Sequence, residues 1–413
     1  MASGATAVPD IRFCFCGSGR TRRLATTGIN LPLHWALGGG RLEVAVVSNV
    51  VADKYGLQVG TPTLSSAGAI TFGPEGILFV ADNAAATIFA IHVGDDAASA
   101  EPVEVAALDT RVGSLLGVAR ENVRIAGMAV HPGSQAVYLS VARGRGASEV
   151  PLLVRVTNGE LAVVELADVP FAQVRLDDAP GVDDDRQDIV LNRSDAHSET
   201  LEIRGVTLTL TRVKLRASTI TDLAWVDGIL LVAGASNEEF SSTLRVIPFP
   251  FGEVMQSSSL EIFHVSHGRY ETASPIRTFI PFDGNTSVLA SYTCTPVAHF
   301  PLTDLQPGAQ VRGRTVAELG AMNQPLDMIA YRYEGAEYLL VCNTRHPLLK
   351  IPAAAIAGQE PLTSPTEPVG VPREELDHAG VRLMADLGTD QVLMLQREAT
   401  GDLALHTYST ASL

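Results

Sequence analysis

The chain has 413 residues, of which 46% are hydrophobic and 18% charged. This composition is typical of a globular protein and excludes a largely disordered chain. The formal net charge of −16 argues against partners such as nucleic acid or an anionic membrane surface, because both require clustered Lys and Arg. No apolar run reaches the roughly 20 residues of a membrane helix, and no signal peptide is visible. We expect a cytoplasmic protein, with a mature periplasmic or secreted form as the alternative.

A repeated unit begins at Ala69, after an N-terminal segment of residues 1–66. The unit starts with a strand, followed by a tight Gly/Pro turn, a second strand, the polar loop Asp82-Asn83 and a third strand that starts at Thr87. Short β-rich runs between such turns are typical of hairpins. The same pattern recurs five times, with first strands that start at Gly127, Asp222, Thr278, Asp327 and Arg382.

The spacing of the repeats indicates the architecture. The starting points lie about 55 residues apart, except for a gap of 95 residues between Gly127 and Asp222. Repeats of this length with several strands each are typical of β-propellers. We therefore predict an all-β fold, a single six-bladed β-propeller over residues 1–413. Residues 164–217 within the long gap are either an insertion or a degenerate extra blade, so seven blades remain the alternative.

The last repeat is short, because few residues follow its third strand near His406. An open sheet edge at this point would be exposed, which proteins avoid. The N-terminal segment contains two strand-like runs, residues 11–15 and 42–47. We predict that an N-terminal strand completes the C-terminal blade and closes the ring.

The residues from Ile70 to Asn83, Ile-Thr-Phe-Gly-Pro-Glu-Gly-Ile-Leu-Phe-Val-Ala-Asp-Asn, resemble the blades of the NHL, SMP-30 and strictosidine-synthase-like (TolB-like) propellers. The resemblance is clearest over residues 67–92 and implies a six-bladed fold. These families include metal-dependent lactonases, a condensing enzyme and binding scaffolds, so the resemblance does not select one function. The lactonase-type metal site uses Glu and Asn/Asp residues around the channel, and the first-strand starts here do not reproduce that set.

The repeat also predicts which residues share one face of the ring. In a propeller, the first strand of each blade begins on the face where the loop between its second and third strands lies. Asp222 and Asp327 each open a first strand, where two carboxylates could bind a cation or act as acid and base with split pKa values. Alternatively, they accept hydrogen bonds from backbone amides of the neighbouring blade. Candidate substrate-binding residues on this face are Asn83, Glu239, Tyr292, Asn343, Arg345 and Arg382.

Two histidines complete the predicted site. The repeat places His267 and His346 on the same face, where imidazoles could transfer protons or bind a divalent metal ion together with Asp222 and Asp327. The thiol of Cys294 is a further candidate, as a nucleophile paired with His346, although a buried structural cysteine is the commoner case.

Three functions follow as alternatives. The first is a small-molecule enzyme at the mouth of the channel, a hydrolase or lyase that acts with or without a metal, in which Arg345 and Arg382 orient an anionic group. The second is a non-catalytic propeller that presents residues such as Glu239 and Arg269 to a ligand or protein. The third is an oxidoreductase that depends on a metal or a quinone cofactor.

Overall fold

The computed structural model describes residues 50–94, 102–191, 198–203, 205–364, 369–388 and 390–413. The strands predicted at residues 11–15 and 42–47 lie outside the described residues. Residues 50–55 are helical (α1), and two further helices are α2 (Leu108–Leu116) and α3 (Ala353–Ala357). None of the helices in the described ranges is long and apolar enough to cross a membrane.

The first part of the chain forms two antiparallel sheets. Sheet 1 begins with β1 (Gln58–Gly60), β2 (Ile70–Phe72), β3 (Ile77–Asp82) and β4 (Thr87–His92). Sheet 2 follows with β5 (Val123–Val130), β6 (Val137–Arg143), β7 (Val150–Thr157) and β8 (Glu160–Val163). The chain then returns to sheet 1 through β9 (Val169–Arg175), which lies between β4 and β1. Sheet 1 therefore takes its fourth strand from beyond sheet 2.

The residues between β9 and the next repeat form a separate antiparallel sheet in which β12 is central. Its strands are β10 (Gln187–Leu191), β11 (Ser198–Ile203) and β12 (Val206–Lys214). The prediction for residues 164–217 thus covers two different elements, since β9 belongs to sheet 1 and the other strands form their own sheet.

Four more sheets follow in chain order. Sheet 3 contains β13 (Asp222–Val226), β14 (Ile229–Ala235), β15 (Ser242–Pro248), β16 (Gln256–His264) and β17 (Arg269–Glu271), and β21 (Gln310–Arg312) adds to β16. Sheet 4 contains β18 (Thr278–Phe282), β19 (Ser287–Ser291), β20 (Pro296–Pro301), β22 (Arg314–Glu318) and β26 (Val369–Gly370). Sheet 5 contains β23 (Pro325–Tyr333), β24 (Ala336–Asn343), β25 (Leu348–Pro352) and β27 (Glu374–Leu376), and sheet 6 contains β28 (Val381–Asp386), β29 (Gln391–Arg397) and β30 (Leu403–Ser409).

In the described part of the chain, the first strands of sheets 1 to 6 contact one another in a closed circuit. The circuit runs from β2 to β5, β28, β23, β18 and β13 and back to β2. Hydrophobic clusters lie between the same neighbours, for example Leu78 and Val80 of sheet 1 against Tyr138 and Leu153 of sheet 2. Each sheet is therefore buried on both faces, which explains why its central strands are continuous apolar runs. This arrangement is a β-propeller, as predicted.

Close packing around the circuit also explains a glycine at the start of the second repeat. A Cβ added to Gly127 on β5 would lie 2.9 Å from the carbonyl oxygen of Gly68. Only a residue without a side chain allows this approach between the first strands of sheets 1 and 2.

The order of the sheets around the circuit differs from their order in the chain. Sheet 1 lies between sheets 2 and 3, and sheet 6 contacts sheet 2. At the outer edge of sheet 6, Val105 exchanges two backbone hydrogen bonds with Leu405, of 3.0 and 2.9 Å. Val105 belongs to the connection between sheets 1 and 2. The predicted closing segment contributes β1, but this strand pairs with β9 of sheet 1 and not with sheet 6. Closure by residues 11–15 or 42–47 stays a prediction.

Candidate functional site

The first strands surround a central channel. In the described structure this cavity has a volume of about 580 Å³, and all six first strands line it. Most lining side chains are apolar, such as Phe279, Met328 and Met384. The polar lining residues are Thr71, Thr221, Asp222, Arg277, Thr278 and Asp327.

Asp222 and Asp327 occupy equivalent places on sheets 3 and 5, on either side of sheet 4. One oxygen of Asp222 accepts a hydrogen bond from its neighbour Leu223 (2.8 Å), and the other accepts one from the amide of Phe279 on sheet 4 (2.9 Å). Asp327 repeats this pattern with Met328 (2.8 Å) and with Met384 on sheet 6 (2.6 Å). Each carboxylate thus links the first strands of two adjacent sheets, which was the alternative considered from the sequence.

The two carboxyl groups differ in acidity. Burial raises the pKa of Asp222 to about 6, although hydrogen bonds from Phe279 and Leu223 and the nearby Thr278 hydroxyl lower it in part. Burial raises the pKa of Asp327 to about 8, and the negative charge of Asp222 raises it further. At neutral pH the pair therefore holds one proton, mainly on Asp327.

Arg277, the positively charged residue that lines the described channel, already forms an ion pair. Arg277 donates to both oxygens of Asp188, at 2.8 and 2.6 Å, and both side chains are buried. Asp188 belongs to β10, so this ion pair joins the separate three-stranded sheet to the start of sheet 4. Asp188 balances the positive charge of Arg277. The net charge of the channel lining is therefore the negative charge of the ionised Asp222.

A second polar cluster lies where β16 ends. Here His264, His267 and Cys294 each place one ligand-type atom so that these atoms lie within 4.8 Å of one another. The two imidazole rings have centroids 3.9 Å apart. Glu271 holds both rings, with one oxygen 2.8 Å from Nδ1 of His264 and the other 2.7 Å from Nδ1 of His267. Sequence reasoning named His267 and Cys294 but missed His264, because nothing in the sequence shows that the chain turns back immediately after this residue.

Glu271 is an ionised partner for the two histidines. Burial raises its pKa, but the hydrogen bonds from His264 and His267 outweigh burial and lower the pKa to about 2. Arg269 also approaches the same carboxylate, at 3.2 Å. A second acid, Glu318, is fully buried, and its Oε2 lies 3.9 Å from Nε2 of His264.

The structure separates the residues that the sequence grouped as one site. Asp222 and Asp327 line the channel, whereas His267 belongs to the cluster at the end of β16. His346 lies 3.9 Å from Glu375, and burial lowers its pKa although the charge of Glu375 raises it in part. No contact in the described residues joins His346 to either carboxylate.

The predicted ligand-binding side chains mostly serve the local fold. The amide group of Asn83 bonds the backbone N and O of Ile220 (2.7 and 3.0 Å). Asn343 accepts from the amides of Arg345 and His346 within its own turn. Arg345 donates to the carbonyl of Ala321 (3.0 Å), and Tyr292 is 1% exposed in the layer between sheets 3 and 4. Neither Arg345 nor Arg382 lines the channel, and Glu239 is exposed.

The fold defines the class of the protein as a β-propeller. No protein-family model and no curated protein matches the chain. Among solved structures, an aldose sugar dehydrogenase from Streptomyces coelicolor in its PQQ-bound form is similar at 12% identity and a TM-score of 0.30, over 85% of this chain and 98% of that one. A glucose dehydrogenase-type oxidoreductase from Thermus thermophilus is 13% identical with a TM-score of 0.32, over 85% and 100% of the two chains. A β-propeller domain from Myceliophteria thermophila is 10% identical with a TM-score of 0.34, over 83% and 84%.

Proposed function

We propose that this β-propeller is a small-molecule enzyme whose central channel carries out proton transfer, of the hydrolase or lyase type. The observation that carries the proposal is the pair of carboxyl groups on either side of Thr278, with pKa values of about 6 for Asp222 and about 8 for Asp327. Split pKa values on either side of neutrality are the pattern of a general base and a general acid. A closer kinship with the NHL and SMP-30 propellers remains a prediction.

The roles follow from the protonation states. Ionised Asp222 would accept a proton from the substrate or from an attacking water molecule. Protonated Asp327 would donate a proton to the leaving group or to a carbonyl oxygen. The hydroxyl of Thr278 lies near both carboxyls and would orient the group that lies between them.

The charge of the channel restricts the substrate. Asp222 contributes a negative charge, and the guanidinium of Arg277 is neutralised by Asp188. The remaining lining is mainly apolar. We therefore expect an uncharged or cationic molecule that is small enough for about 580 Å³, rather than the anionic substrate that Arg345 and Arg382 suggested from the sequence.

The experiment is a pH profile of hydrolysis with p-nitrophenyl acetate as an uncharged probe. We expect kcat/KM to follow a bell with limbs near pH 6 and 8, because activity needs Asp222 ionised and Asp327 protonated. Asp222→Asn should lower kcat/KM by roughly 10²–10⁴-fold, the usual contribution of a general base. The matched control is Asp53→Asn, since Asp53 is an exposed aspartate of α1. A rate that is unchanged in Asp222→Asn would contradict the proposal.

A second candidate, a non-catalytic scaffold, is favoured by the hydrogen bonds themselves. All four oxygens of Asp222 and Asp327 accept backbone amides, so the carboxylates also hold the first strands together. In that case Asp222→Asn lowers the midpoint of chemical denaturation, and the wild-type chain hydrolyses the probe no faster than a mixture of its amino acids.

A further inference from the structure

We propose that His264, His267 and Cys294 bind a zinc ion, at a site separate from the channel and independent of the function proposed above. Their ligand-type atoms already lie within 4.8 Å of one another. Zinc holds His nitrogen at about 2.0–2.1 Å and Cys sulfur at about 2.3 Å, so in a tetrahedral site its ligand atoms lie about 3.3–3.6 Å from one another. A small inward movement of these side chains is enough to surround one ion.

The hydrogen bonds of Glu271 orient both imidazoles for this role. The carboxylate engages Nδ1 of His264 and Nδ1 of His267, which leaves the two Nε2 atoms to face a ligand. A carboxylate that accepts the far N–H of a metal-binding histidine is the usual outer partner in zinc sites. A local turn does not require one glutamate to fix the rings of two histidines.

The buried nitrogen of His264 gives an independent indication. The ring is 2% exposed, and its Nε2 has no hydrogen-bond partner in the described residues. Burying such an atom without a partner is unfavourable. Its separation from Oε2 of Glu318 is 3.9 Å, which is too long for a hydrogen bond.

The backbone at Cys294 is consistent with a functional constraint. Cys294 and Thr295 have φ values of 65° and 61°, and two successive positive values are otherwise typical of Asn-Gly turns. The strained turn is held from outside, because the amide of Cys294 donates to Asn323 (2.6 Å) and the hydroxyl of Thr295 donates to Gly320 (2.9 Å). This turn between β19 and β20 brings the thiol to the end of β16.

Three protein ligands leave one position of a tetrahedral ion open. Sites with three ligands and an open position are those in which zinc activates water or substrate. Glu318 faces this cluster from the end of β22 and would bind or deprotonate the water molecule. Since the His267 side chain is 42% exposed, the ion can enter from solvent on that side.

The experiment measures binding of zinc and cobalt to the full chain after removal of metal with EDTA. All variants carry Cys14→Ser and Cys16→Ser, so that a thiolate signal comes from Cys294 or Cys342. We expect one zinc ion per chain by mass spectrometry and, with cobalt, a thiolate-to-metal charge-transfer band. Cys294→Ser should abolish the band, and Glu271→Gln should weaken zinc binding about 10–100-fold.

Two control variants lie outside the proposed ligand set. His346→Gln removes a ligand that the sequence predicted, and Cys342→Ala removes the other remaining thiol. Both variants should bind zinc like the parent. Since His264 is buried, His264→Gln is tested beside a second variant, His267→Gln. The second substitution changes a partly exposed ring and leaves the core intact. A parent chain that binds no zinc, or a cobalt band that persists in Cys294→Ser, would overturn the proposal.

Discussion

Asp327 shows how one partly buried carboxyl group makes stability depend on pH. Its pKa of about 8 in the folded chain lies well above the about 3.9 of an unfolded aspartate. The folded chain therefore holds a proton that the unfolded chain releases, so this group's contribution to stability is complete below about pH 4 and is lost as the pH rises to about 8. The physical causes are enclosure of the carboxyl by protein and the charge of Asp222.

The first prediction compares the wild type with Asp327→Asn. The free energy of unfolding of the wild type, relative to the variant, should fall as the pH rises from 5 to 8, by up to about 1.4 kcal/mol per pH unit. Urea denaturation at four pH values measures this slope, and any constant cost of the amide cancels in it. The control is Asp53→Asn, at an exposed aspartate of α1. A difference that is flat between pH 5 and 8 would mean that Asp327 ionises normally.

The sequence predicted part of the candidate site. The repeat located Asp222 and Asp327 at the starts of first strands, and both do line the channel. It could not predict that His267 lies apart from them, because the register of a repeat gives the face of a residue and not its distance from the axis. His264 gave no signal at all, since its contact with Cys294 depends on a strained turn in the next sheet.

At the scale of elements, the sheet formed by β10, β11 and β12 is joined to the propeller by a buried ion pair and by several hydrogen bonds. The ion pair between Asp188 and Arg277 has side chains that are 5% and 7% exposed. A further contact joins the amide of Leu191 to the side chain of Gln324 (2.8 Å). The opposite side of this sheet is open to solvent, with Leu201 and Ile203 each 39% exposed.

The second prediction is that Asp188→Asn releases this sheet. The substitution leaves the guanidinium of Arg277 buried beside the channel without its charged partner, which costs about 3–5 kcal/mol. We expect faster cleavage within residues 187–214 in limited proteolysis, while the circular dichroism of the propeller is retained. The control is Asp184→Asn, because Asp184 pairs with the more exposed Arg186 and such pairs contribute at most about 1 kcal/mol. Equal cleavage in both variants would contradict the prediction.

The same region shows where prediction of the fold from sequence ends. First strands were predicted because apolar runs and Gly/Asp turns recur at each repeat, and β13 and β18 begin at the predicted Asp222 and Thr278. The return of β9 to sheet 1 was not predicted. Its sequence is mainly apolar with two polar residues near its end, and nothing in it specifies the neighbouring strand, so only tertiary packing selects the partner.

At the scale of the whole molecule, a segment from the connection between sheets 1 and 2 pairs with the outer edge of sheet 6. Besides the two backbone hydrogen bonds between Val105 and Leu405, Glu104 accepts from the amide of Thr407 (2.8 Å) and contacts Nδ1 of His406 (2.9 Å). Asp109, at the start of α2, accepts from the amide of Leu403 (3.0 Å). These contacts join residues about 300 positions apart in the sequence, and the entropy lost in bringing them together grows with the length of chain between them.

The third prediction uses Val105→Pro to test whether the pairing of Val105 with Leu405 closes the ring. Proline removes the amide that donates to Leu405 and cannot continue a sheet, and the loss of a side chain that is 1% exposed adds to the cost. We expect the free energy of unfolding to fall by about 1–3 kcal/mol, the usual cost of a buried backbone group that loses its partner, and hydrogen exchange to accelerate across β29 and β30 before other strands. The matched control is Val59→Pro, at a residue of β1 that is 64% exposed on the outer edge of sheet 1. If both variants unfold alike and β30 stays protected, sheet 6 is held by its contacts with sheets 2 and 5, and the bridge at Val105 is not what closes the ring.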